Sequence, residues 1–71
     1  MKLIEWFNKL NASLDKNDPS QQAILMKLQA MPFRVHHLYE VLRALHAINR
    51  HDLLPSYEDV KSWIEEGEVL P

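Results

Sequence analysis

Apolar residues recur along this chain at helical spacing, in four blocks separated by polar or proline-marked breaks. Leu3, Trp6, Phe7, Leu10 and Leu14 share one face of a first helix, with Glu5, Asn8, Lys9 and Asn11 on the remainder. Asp18, Pro19 and Gln21 then spell a helix start: a capping acid, a proline at the first helical position and a capping-box partner. Pro32 disfavours helix in the residue before it, so this second helix is expected to end near Met31. Its apolar residues fall on two sides, Ile24, Leu28 and Met31 on one and Ala23, Met26 and Ala30 on the other. Such a helix either lies between neighbours or buries one side against another chain. A third helix carries Leu38, Val41, Leu42, Leu45 and Ile48 opposite a polar side. In a fourth, Ser56 is the N-cap, Asp59 stands at the capping-box position, Tyr57, Val60, Trp63 and Ile64 form the apolar face, and Gly67 is the C′ residue.

The pattern predicts helices over about 2–14, 19–31, 34–49 and 57–66, followed by a short tail, "EVLP", able to fold back. The chain's single glycine argues against tight-turned sheets, and no segment reads as a strand. The expected class is all-α: residues 1–71 as a single domain, a small bundle or orthogonal array of four short helices.

Size changes the picture next. A chain of 71 residues buries only about 60% of the surface its unfolded form exposes, so it relies on good helix packing, self-association or a partner. With no cysteine, neither a disulfide nor a thiolate metal site supplies a staple, and the composition fits a reducing cytoplasm. No apolar run approaches the roughly 20 residues of a membrane span, and "MKLIEWFNKL" is not a secretory signal. A cytoplasmic protein without a membrane partner is expected.

The net charge of −2 hides an asymmetry: residues 1–50 hold seven Lys/Arg against four Asp/Glu, whereas residues 51–71 hold one Lys against six Asp/Glu. The third helix contributes a basic side, with His36, Arg43 and Arg50 spaced by seven and Arg34 near its start. The fourth is acidic, with Glu58 and Glu65 spaced by seven and Asp59 and Glu66 likewise. Glu65 and Glu66 stand near a helix C-terminus, where negative charge opposes the dipole.

Chemistry-bearing patterns are few. His36 and Glu40 are one turn apart with His37 adjacent, but zinc needs three or four tetrahedral ligands and no HExxH spacing is present. His46 and His51 read, like the others, as surface histidines. Ser13, Ser20, Ser56 and Ser62 fall in no nucleophile motif, and there is no glycine-rich phosphate loop. No catalytic, metal or cofactor site is expected, and no cofactor.

The stretch "PSYEDVKSWIEEG" resembles the turn and second helix of winged-helix and excisionase-like regulators. The resemblance implies a DNA-reading helix. The residues oppose it, because Glu58, Asp59, Glu65 and Glu66 would face phosphates with Lys61 as the sole cation of that helix. The expectation is therefore a non-catalytic helical protein that binds another protein as adaptor, inhibitor or regulator. Its candidate contacts are Glu58, Asp59, Trp63, Glu65, Glu66 and Met26, although Trp6 and Trp63 also fit the core. The alternative is a nucleic-acid-binding regulator using Arg34, His36, Arg43 and Arg50. A homodimer packing on the second apolar side of the second helix is compatible with either.

Overall fold

A computed structural model describes residues 1–70. Among them lie four α-helices, α1 (Leu3–Ser13), α2 (Pro19–Lys27), α3 (Val35–Ala47) and α4 (Tyr57–Glu65), with a single 3-10 turn at His51–Leu53 between the last two. The all-α class holds, and no strand is present among the described residues. The radius of gyration, 11.4 Å, matches the value of about 11 Å expected for a compact chain of this length.

Each helix starts where its side chains satisfy free backbone N–H groups. Glu5 accepts from the Lys2 N–H at 3.1 Å before α1, Asp18 from the Ser20 N–H at 2.9 Å before α2, and Ser56 Oγ from the Asp59 N–H at 3.1 Å before α4. At α3 the acceptor is unusual: His37 Nδ1 takes the Arg34 N–H at 2.9 Å. Gln21 does not close a reciprocal box with Asp18. Its amide donates to the Asp18 carboxylate at 2.9 Å and its carbonyl accepts from the Asp15 N–H at 2.8 Å, tying the preceding loop to α2.

The helix ends differ from the sequence expectation at two places. α2 stops at Lys27 rather than near Met31, because the bonds Gln29 N–H to Met26 O and Ala30 N–H to Lys27 O tighten the chain out of α geometry. Ile24, Leu25 and Leu28 then face the core, while Met31 swings out to 95% exposure. α3 stops at Ala47, two residues short of Asn49. Asn49 takes the left-handed conformation, φ 60°. The bonds Arg50 N–H to Leu45 O and Asn49 N–H to His46 O complete a Schellman motif. α4 closes the same way at Gly67, φ 79°, with Glu68 N–H to Trp63 O and Gly67 N–H to Ile64 O.

The core draws on every element: Leu3, Trp6, Leu10 and Leu14 from and just after α1, Ile24, Leu25 and Leu28, then Leu38, Val41 and Leu45 of α3, Leu53, Trp63 and Val69. The two tryptophans pack against each other within it, ring centroids 5.3 Å apart and planes tilted by 31°. Each finds an acceptor for its indole N–H, Trp6 at Leu53 O (2.8 Å) and Trp63 at Met1 O (2.9 Å). Among the described residues, no buried side-chain nitrogen or oxygen is left without a partner. The tail does fold back. Val69 is fully buried, and Leu70 exchanges backbone hydrogen bonds with Phe33 and Val35 in a parallel bridge to the entrance of α3.

Candidate functional site

The residues singled out from the sequence scatter. Trp63, expected as a contact residue, is 1% exposed and belongs to the core, because Val60, Trp63 and Ile64 turn α4 inward at that register. Asp59 is occupied by the N-terminal amine at 3.1 Å. Glu58 and Glu66 are exposed and have no ion-pair partner among the described residues, while Glu65 leans on Lys61 one turn earlier at 3.9 Å. Met26 is exposed, but its groove is shared with Asn11, Lys16, Gln22, Leu25 and Gln29, so α2 offers one methionine among polar neighbours rather than an apolar side.

The basic stripe is also broken. His36 and Arg43 are exposed on α3 as their spacing requires. Arg50 is not on that helix, since the left-handed residue Asn49 redirects the chain before it. Its guanidinium instead holds Asp52 with two hydrogen bonds, 3.2 and 3.3 Å. That contact keeps the Asp52 carboxyl below its usual range. Arg34 sits at the α3 N-cap. Glu40 is claimed by Lys27 across the α2–α3 contact at 3.1 Å, which keeps its carboxyl low as well. His36 and His37 pack ring on ring, 3.9 Å between centroids, and His37 also stacks on Phe33. Among the described residues no three side chains of histidine or carboxylate converge in a way that would hold a metal ion.

What sequence reasoning missed is an open trough between α3 and α4. Tyr39, Leu42, Arg43 and His46 line it from α3, and Leu54, Pro55, Tyr57 and Val60 from the loop and α4. It continues past Tyr39, Tyr57 and Val60 to Lys61, Ile64 and Glu65. Leu42, Leu54, Val60 and Ile64 form a half-buried floor, packed on the core beneath. Over that floor stand two tyrosines, Tyr39 at 55% and Tyr57 at 80% exposure. Tyr57 was expected on the inward face of α4. As the first residue of the helix it lies a full turn before the level at which Val60 and Trp63 meet the core.

The trough's charges are unevenly matched. Glu65 has Lys61 nearby, whereas Arg43 has no ion-pair partner among the described residues. A second groove, lined by Phe7, Leu28, Gln29, Ala30, Met31, Pro32 and Phe33, carries no charged group. That groove has the aromatic rings of Phe7 and Phe33, while the α3–α4 trough has two exposed tyrosines with polar hydroxyls and a cation.

Comparison of the chain with protein-family models, curated proteins and solved structures returns no match. No helix among the described residues is long and apolar enough to cross a membrane.

Proposed function

We propose that this chain is a non-catalytic protein-binding module, working in the cytoplasm as an adaptor, inhibitor or regulator, and that it docks a helical segment of another protein in the α3–α4 trough. The observation that supports this most is the pair of exposed tyrosines over an apolar floor. Tyrosine is enriched among residues that dominate binding energy, being large, stiff and amphipathic. Soluble proteins do not usually leave such groups clustered without a use.

The chemistry of the rim favours one kind of occupant. A segment that inserts apolar side chains at helical spacing matches the floor of Leu42, Leu54, Val60 and Ile64. An acidic residue at one end of the segment meets Arg43, the cation without a partner among the described residues. The exposed acids Glu58 and Glu66 lie outside the lining, so they steer association more than they hold it.

The test is selection of helical peptides from a randomised display library on the full chain. Enriched peptides are expected to show apolar residues at i, i+3/4 and i+7 with an acidic residue at one end. Tyr39→Ala or Tyr57→Ala should each cost about 2 kcal/mol, roughly thirtyfold in Kd. Arg43→Glu should weaken binding and flatten its salt dependence. Peptides that bind the tyrosine variants as tightly as the parent would overturn the proposal. So would a concentration-dependent dimer in sedimentation that disappears with Tyr57→Ala, since a second copy would then fill the trough.

A further inference from the structure

The junction between α3 and the 3-10 turn brings two imidazoles together. His46 lies in the last turn of α3, and His51 opens the 3-10 turn. The Schellman closure at Asn49 folds the five-residue separation back on itself, so that Nδ1 of His46 and Nδ1 of His51 stand 3.2 Å apart. The rings meet edge to face, centroids 4.6 Å apart, and both residues are exposed.

We propose that His46 and His51 form a two-imidazole clamp for an exchangeable divalent transition-metal ion. Imidazole nitrogens bind such ions at about 2.0–2.1 Å, so two of them on one ion lie roughly 2.9 Å apart at a right angle and about 3.4 Å apart at the tetrahedral angle. The observed 3.2 Å falls between those limits without any backbone rearrangement. At this distance neutral rings share one proton in an Nδ1–H···Nδ1 hydrogen bond; when both rings carry their proton on Nε2 instead, two lone pairs stand together, and a cation satisfies both. Arg50, the cation next in sequence, is paired with Asp52, while Arg43, one turn before His46, lines the same trough and is the positive charge a bound ion has to tolerate.

The donor set also states the selectivity. Two nitrogen donors with no carboxylate in place suit Cu²⁺, Ni²⁺ and Zn²⁺, not Mg²⁺ or Ca²⁺, which require oxygen ligands. Two protein ligands leave the remaining positions to water or to a donor brought by a partner, so the site is exchangeable rather than structural. His46 also lines the α3–α4 trough, which puts the open positions beside the surface assigned to a docked segment. The clamp itself requires nothing of that assignment.

The test is titration of the full chain with Cu²⁺, Ni²⁺, Zn²⁺ and Mg²⁺, read by calorimetry and by the imidazole signals in two-dimensional NMR. The expected order is Cu²⁺ tightest, Ni²⁺ and Zn²⁺ weaker, Mg²⁺ silent, with the signals of His46 and His51 perturbed together. His46→Ala and His51→Ala should each lower Cu²⁺ affinity at least tenfold with helix content unchanged by circular dichroism, while the double change at His36 and His37 leaves it as it was. Perturbation centred on His36 and His37 would overturn the clamp. Equal affinity in the His46 and His51 variants, or no binding by the parent chain, would do the same.

Discussion

Val69 is the sharpest point at which to test the packing. Residues 68–70, after Gly67, lie outside any helix, yet they place a valine side chain at 0% exposure in the shared core. Val69→Ala removes two methyl groups from that site. Their transfer to water is worth about 1.6 kcal/mol at ~0.8 kcal/mol per buried carbon. The cavity left behind adds to this, since the surrounding helices relax only in part. The total is about 2–3 kcal/mol. A domain of 71 residues has roughly 4–11 kcal/mol of stability in all at 0.05–0.15 kcal/mol per residue, so one valine in the tail carries about a fifth of it or more.

Urea unfolding followed by tryptophan fluorescence reads this directly, because Trp6 and Trp63 are both 1% exposed in the folded chain and lie in the same core. With a slope near 1 kcal/mol per molar urea, typical of so small a domain, the midpoint should fall by about 2–3 M. The slope should not change, because the surface exposed on unfolding is nearly the same. Leu70→Ala is the control. Its side chain is half exposed, and its backbone bonds to Phe33 and Val35 survive the change, so its midpoint shift should be less than half as large. A midpoint for Val69→Ala within 0.3 M of the parent, roughly 0.3 kcal/mol by the same slope, would refute the claim that this segment completes the core.

Other consequences follow from local geometry. Gly67→Ala should destabilise by about 1–2 kcal/mol in the same urea assay. Nothing lies within 4 Å of the added Cβ, so the cost is the positive φ alone; Gly67→Asn should cost less, since Asn49 already holds the equivalent place after α3. Trp6→Phe removes the donor from Leu53 O as well as ring volume, and its cost should be at least about 2 kcal/mol by urea midpoint. The Gln21 side chain, and after it the Ser20 N–H, keep the Asp18 carboxyl below its usual range. A carboxyl depressed in the folded state contributes stability that is fully present above its unfolded pKa of about 3.9 and is lost as pH falls through the lower folded value. The start of α2 should therefore fray in acid before the rest, seen as faster Ser20 and Gln21 amide exchange, and Asp18→Asn should keep the cap while removing that pH dependence.

Helix positions were legible because each depends on neighbours in sequence. Asp18–Pro19, Ser56 and Gly67 act within one turn of themselves, and the structure uses all three as read. The inward faces of α1 and α3 were legible for the same reason, as one stripe decides one face. The ends of α2 and α3 were not. Met31 is apolar and in helical register with Ile24, yet it is exposed, because reaching Phe33 and the backbone pairing with Leu70 requires the chain to leave the helix first. Asn49 looked like one more helical residue, and only its left-handed conformation reveals that Arg50 leaves the stripe begun by His36 and Arg43. That single residue both takes Arg50 off the helix that carries His36 and Arg43 and closes His46 onto His51.

The trough was hidden for a reason that bears on its use. Its lining comes from three elements, and no one of them advertises it: Tyr39 falls outside the apolar stripe read on α3, Leu54–Pro55 reads as a linker, and Tyr57 reads as part of an inward stripe. The chain covers its other apolar seams with short segments. It spends the tail, through Val69 and Leu70, on the seam beside the entrance of α3, and the 3-10 turn on the acceptor for Trp6. Among the described residues no segment covers the seam between α3 and α4. That seam is roofed by tyrosines instead of leucines, which keeps it wettable when empty and adhesive when filled. Covering it with leucine at positions 39 and 57 would be the cheaper way to make a better-packed monomer. The sequence retains two phenols and an arginine without an ion-pair partner among the described residues there, and that combination is what a surface needs if its apolar seam is to be closed by another chain.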